Sequence, residues 1–156
     1  MTCVQTDLKL TMTTEYHGKL QFDGGSRGNP GISGAGAVLY HEDREIWSGS
    51  FFVGENATNN YAEYAGLIAG LMQAVDLQIT HLVVEGDSLL VINQLCGLYT
   101  CRSPNLRALY TQAKQLEAQF TSVSYTHVLR HHNKRADELA NNAMDQYLKD
   151  MALIYP

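Results

Sequence analysis

From residue 19 to residue 53 the apolar positions come in short runs broken by small and polar residues. "KLQFDG" (19–24), "GAGAVLYH" (34–41) and "REIWSGSFFV" (44–53) are each rich in β-forming side chains. The link His41-Glu42-Asp43 is short enough for a hairpin, so the three segments read as an antiparallel meander. The pattern then changes period. Tyr64, Leu67, Ile68, Leu71 and Val75 recur at steps of three and four, the mark of a helix with one buried stripe. Thr58 or Asn59 is placed to cap it. "HLVVEGD" (81–87) is a short apolar run of the kind found in buried parallel strands. "SLLVINQLCG" reads as a short helix stopped at Gly97. Ser103 and Pro104 open another helix, with Leu106, Leu109, Ala113, Leu116 and Phe120 on one face. "VSYTHVLR" (123–130) is a strand. The last helix carries Ala136, Leu139, Ala140, Ala143 and Tyr147 on one side.

The order βββαβααβα implies an α/β fold. Right-handed strand–helix–strand crossovers beside a meander give a five-stranded mixed sheet flanked by helices. One domain over residues 19–150 is expected, preceded by an N-terminal segment, 1–18. In that segment Leu8, Leu10 and Met12 alternate, which fits either an extra edge strand or a loose tail.

Composition changes this picture little. The chain has 156 residues, 45% hydrophobic and 17% charged, enough for one soluble core. No apolar run approaches membrane-spanning length, and no basic segment followed by an apolar block opens the chain. A cytoplasmic monomer is expected. Cys3, Cys96 and Cys101 form no CxxC pair, so reduced thiols are expected rather than a disulfide framework. Charge is more informative. The net charge of −5 argues against a polyanionic partner, yet residues 88–136 hold six basic residues against Glu117 alone.

The candidate chemistry lies in four acids. Asp87 follows a parallel strand, where the active sites of open α/β sheets gather. Glu63 sits in the first turn of the helix leading to that strand, Asp137 in the first turn of the last helix, and Asp23 on the first strand of the meander. Each alone has an ordinary reading as a turn residue, a cap or a helix-dipole partner. Together they would repel one another unless a hard divalent cation joined them. All-oxygen ligation suits Mg²⁺ or Mn²⁺.

Four blocks, "FDGGSRGNPG", "TNNYAEYAGLIAGL", "VVEGDSLLVINQL" and "HHNKRADELAN", resemble those of type 1 ribonuclease H, in its compact form without a basic handle. The resemblance runs from about Lys19 to Tyr147. It implies a ribonuclease H-like fold and a phosphodiester hydrolase that cuts the RNA strand of an RNA–DNA hybrid, leaving 5′-phosphate and 3′-hydroxyl ends. Asp23, Glu63, Asp87 and Asp137 would hold two Mg²⁺ ions, with Mn²⁺ as a substitute. Gly24, Gly25, Ser26, Asn29, Thr58, Asn59 and Asn60 would line the substrate groove. The glycines would let the backbone approach the strand, and the polar side chains would read phosphates and 2′-hydroxyls. In "LRHHNKRAD", the resemblance offers His131 or His132 as the candidate proton-transfer group, His131 slightly the better placed. Arg107 and Lys114 project together from their helix and, with Arg102, are candidate phosphate contacts. The competing reading is a module on the same fold that binds hybrid or RNA without cutting it.

Overall fold

The computed structural model describes residues 2–6 and 14–155. The alternation at Leu8, Leu10 and Met12 lies outside the described residues. Six strands and four α-helices follow in the order β1 (Thr2–Thr6), β2 (His17–Arg27), β3 (Gly31–His41), β4 (Arg44–Ala57), α1 (Asn59–Asp76), β5 (His81–Gly86), α2 (Leu89–Leu95), α3 (Pro104–Glu117), β6 (Ser122–His127) and α4 (Lys134–Ile154). The sheet order is β1-β6-β5-β2-β3-β4. β2, β3 and β4 are the antiparallel meander. β5 runs parallel to both β2 and β6, as the crossovers require.

The expected count of five strands is therefore corrected to six. The extra strand, β1, pairs antiparallel with β6, opposing Thr2 to Thr126. A disulfide between Cys3 and Cys96, 93 positions apart, ties it to the end of α2, and Cys101 stays free and buried. This overturns the expectation of three reduced thiols. Spacing along the chain carries no trace of a contact that exists only once α2 packs beside β6.

The helical stripes behave as their spacing predicts. Tyr64, Leu67, Ile68 and Leu71 of α1 are buried with Leu20, Phe22, Leu39, Leu82, Val84 and Tyr125 of the sheet, forming the main core with α2 and α3. Ala136 and Leu139 of α4 close on Val38 in a second, smaller cluster. Tyr147 leaves that stripe: its ring stacks on the exposed Phe52, with centroids 4.1 Å apart.

The glycine-rich stretch between the first two predicted strands is itself largely strand. β2 and β3 continue through it to a tight turn at Gly28-Asn29-Pro30, where Gly28 has φ +110° and Asn29 φ +23°. The other glycines bring helices close. A Cβ on Gly24 would lie 2.1 Å from the Ala62 backbone, and one on Gly66 would lie 2.7 Å from the Asp23 carbonyl oxygen. A Cβ on Gly36 would lie 2.3 Å from the Ala136 carbonyl oxygen. Missing side chains thus set α1 and α4 directly against β2 and β3.

Candidate active site

That close packing places the acids. Asp23 lies on β2, Glu63 on α1, Asp87 directly after β5 and Asp137 in the first turn of α4. Glu63 falls in the second turn of α1 rather than the first, because the helix starts at Asn59. All four carboxylates line one cleft, with Gly24, Asn59 and Arg130. Oxygens of Asp23, Glu63 and Asp87 all lie within 4.8 Å of one another. Asp137 completes the cleft, its carboxylate 3.8 Å from the Arg130 guanidinium.

The electrostatics are those of an uncompensated acid cluster. Burial, then the Asp87 charge, pushes Asp23 up to about 7. Burial, then the Asp23 charge, holds Glu63 well above the ordinary carboxylate range. Asp87 is raised by burial and by Asp137, with Arg130 opposing. Asp23 accepts a hydrogen bond from the Gly24 amide at 2.9 Å, which opposes the shift. Glu63 Oε2 is buried with no hydrogen-bond partner. A buried carboxylate oxygen without a donor is costly. A hard cation held by oxygen ligands fits this donor set, and Mg²⁺ prefers such a site.

Two buried polar side chains fix the cleft's rim. Asn133 Nδ2 donates to the Phe22 carbonyl, one residue before Asp23, and the Asn133 carbonyl accepts from the Asp137 amide. Gln21 Nε2 donates to Glu85 Oε1 and to the His132 carbonyl. The segment leading into α4 is thereby stapled to β2.

The expected groove residues gather beside the acids. The Ser26 amide donates to Asn59 Oδ1 at 2.7 Å, and the Asn59 amide donates to Asn29 Oδ1 at 3.0 Å. Ser26 Oγ donates to the Ala57 carbonyl. Thr58 caps α1 by accepting from the Tyr61 amide. These bonds lock the β2–β3 turn to the start of α1. Gly25 and Ser26 line the acid cleft. Asn29, Thr58 and Asn60 line a second hollow with Tyr61, Ser103 and Asn105.

Other expected residues stand apart. His131 is exposed in a short 3₁₀ turn, packed on His132, and is not among the cleft-lining residues. Arg130, its neighbour, is. Arg107 donates to the Cys101 carbonyl, and Lys114 to the Leu95 carbonyl and Glu117, outside the cleft. Sequence reading passed over Arg130, and also His127, whose Nε2 lies 3.2 Å from the Asp87 carbonyl oxygen. The proximity of Arg130 to Asp137, seven positions on, was the available signal.

Residues 21–143 match the family model described as reverse transcriptase-like. Over 127 residues the chain is 47% identical to the bifunctional protein Rv2228c of Mycobacterium tuberculosis, covering 81% of this chain but 35% of that protein. The chain thus spans about a third of that relative's length. The solved N-terminal RNase H domain of that protein superposes with a TM-score of 0.84 at 43% identity, covering 88% of this chain and 99% of that one. Ribonuclease HI of Halobacterium salinarum is 42% identical over 143 residues, 90% of this chain and 71% of that protein. LC11-RNase H1, solved in complex with an RNA/DNA hybrid, has a TM-score of 0.78 at 32% identity, with 84% and 99% covered.

Proposed function

The chain belongs to the type 1 ribonuclease H family, and from that premise we propose that it hydrolyses the RNA strand of RNA–DNA hybrids, leaving 5′-phosphate and 3′-hydroxyl ends. The observation that carries the reading is the buried acid cluster with its donorless oxygen, Glu63 Oε2. A pure binding module gains nothing from a cluster that raises its own carboxyl pKa values and repels a polyanion.

Asp23, Glu63, Asp87 and Asp137 would hold two Mg²⁺ ions, or Mn²⁺ in their place. Bound there, the ions supply Lewis-acid activation of water and charge stabilisation at the leaving 3′-oxygen. The chain's own residues do the rest. Asp23 and Glu63 are held in place by the close packing of α1 on β2 at Gly24 and Gly66. Arg130 offsets the rim's negative charge and attracts the phosphodiester. Ser26 and Asn59 line the acid cleft and Asn29, Thr58 and Asn60 the second hollow; their donors and acceptors suit phosphates and the 2′-hydroxyls that distinguish RNA from DNA.

The test is a cleavage panel with Mg²⁺ and with EDTA, using RNA–DNA hybrid, double-stranded RNA, single-stranded RNA and double-stranded DNA. Metal-dependent cleavage confined to the RNA strand of the hybrid supports the proposal. Binding without cleavage of any substrate under Mg²⁺ or Mn²⁺ refutes it.

A further inference from the structure

At the end of the sheet opposite the acid cleft, three of the chain's six histidines, His17, His41 and His81, gather with Glu15. His17 and His81 are direct partners in the parallel register of β2 and β5, so their side chains share a face. Their rings stack, with centroids 4.5 Å apart and planes 20° from parallel. Glu15 lies two residues before His17, and its Oε2 is 3.1 Å from His17 Nε2. One ligand atom from each of Glu15, His17 and His81 lies within 4.8 Å of the other two.

The hydrogen bonds around this group set its chemistry. The Thr80 hydroxyl donates to the Tyr16 carbonyl and accepts from the Tyr16 amide. The same oxygen lies 2.8 Å from His81 Nδ1, which leaves Nε2 as the nitrogen turned to a ligand. Metal-binding imidazoles are commonly oriented by such a hydrogen bond at the second ring nitrogen. His41 Nδ1 donates to the His17 carbonyl at 2.7 Å and its ring packs edge-on against Tyr16, which anchors the strand start.

We propose that Glu15, His17 and His81 form a second metal site, selective for a borderline divalent transition ion such as Zn²⁺, Ni²⁺ or Cu²⁺. Two imidazoles and one carboxylate suit these ions, whereas Mg²⁺ favours oxygen ligands alone. At a metal–nitrogen distance of ~2.0–2.1 Å, tetrahedral donors sit about 3.4 Å apart. The Glu15–His17 pair already meets this. The exposed side chains of His17 and Glu15, at 64% and 70% side-chain exposure, have room to turn toward His81 and close the remainder. Water fills the open positions. Asp23 lies six residues along β2 from His17, about 20 Å at ~3.3 Å per residue. The ion therefore clasps the starts of β2 and β5 and takes no part in hydrolysis.

The experiment titrates Cu²⁺ and Zn²⁺ into tag-free, metal-free protein with the disulfide intact and millimolar Mg²⁺ present. Calorimetry reads stoichiometry and affinity, and Cu²⁺ electron paramagnetic resonance counts coordinated nitrogens. We expect one ion per chain, two nitrogens and micromolar affinity. His17→Ala and His81→Ala should each weaken binding at least tenfold and remove one nitrogen, with hybrid cleavage unchanged. Glu15→Gln keeps both imidazoles and should weaken binding without altering the nitrogen count. Absence of binding at about 100 µM ion, a spectrum without two nitrogens, or wild-type affinity in the His17→Ala or His81→Ala protein would overturn the site.

Discussion

Replacing Asp23 by Asn should stabilise the metal-free protein at alkaline pH while abolishing its chemistry. In the fold the Asp23 carboxyl is pushed from 3.8 up to about 7, by burial and then by the Asp87 charge. A carboxyl with a folded pKa above its unfolded one binds more protons when native. Its contribution is therefore harmless below pH ~4, and stability falls as pH rises from there through about 7. Roughly three units at 1.36 kcal/mol each give a penalty of about 4 kcal/mol at pH 8. Glu63 and Asp87 share the cluster's protons, so a single replacement recovers part of this, about 2–3 kcal/mol. Asn keeps an oxygen for the Gly24 amide and removes the charge. At ~2–4 °C per kcal/mol for a chain of this size, the melting temperature in EDTA at pH 8 should rise by roughly 4–12 °C. At pH 4 the two proteins should melt together. Thermal unfolding followed by circular dichroism at the two pH values is sufficient. A variant no more stable than wild type at pH 8, or equally stabilised at both pH values, refutes the electrostatic account of the cleft.

Mg²⁺ should raise the melting temperature of the wild type at pH 8, since it binds only the folded cluster, and raise that of Asp23→Asn much less; differential scanning calorimetry with and without EDTA checks this. Reducing the Cys3–Cys96 bond, or Cys3→Ser, should cost about 2–4 kcal/mol, because the bond closes a 93-residue separation; urea unfolding with and without reductant reads the loss. Gly36→Ala should destabilise by about 1–3 kcal/mol or more and impair cleavage with every carboxylate intact, since its Cβ would meet the Ala136 carbonyl at 2.3 Å. Asn133→Ala should cost about 1–3 kcal/mol, leaving the buried Phe22 carbonyl without its side-chain donor, and should lower the cleavage rate more than hybrid affinity by loosening Asp137.

Elements built on local periodicity were legible. The α1 stripe Tyr64, Leu67, Ile68 and Leu71 is buried as its spacing requires, and Thr58 caps the helix. The four acids were legible because the order of strands and helices brings β2, the end of β5 and the opening turns of α1 and α4 to one edge of the sheet. What escaped depends on contacts between distant segments. β1 exists through pairing with β6 and the bond to Cys96, and five residues of "TCVQT" do not announce either partner. The glycines between residues 24 and 31 carried no strand signal because composition does not distinguish a flexible backbone from one pressed against a helix. Approaches such as the 2.1 Å at Gly24 separate the two. Helical phase placed Arg107 and Lys114 on one side of α3, yet it could not show that Lys114 turns back onto Glu117 and the Leu95 carbonyl.

The most direct test measures hybrid cleavage and hybrid binding side by side, for wild type and Asp23→Asn, in Mg²⁺. The account predicts that wild type cuts the RNA strand, and that the variant loses about three orders of magnitude in rate, the scale of a lost electrostatic stabiliser, while its Kd for the hybrid stays within a few-fold. A variant that cuts at the wild-type rate, or a wild type that binds the hybrid and leaves its RNA whole, would contradict it.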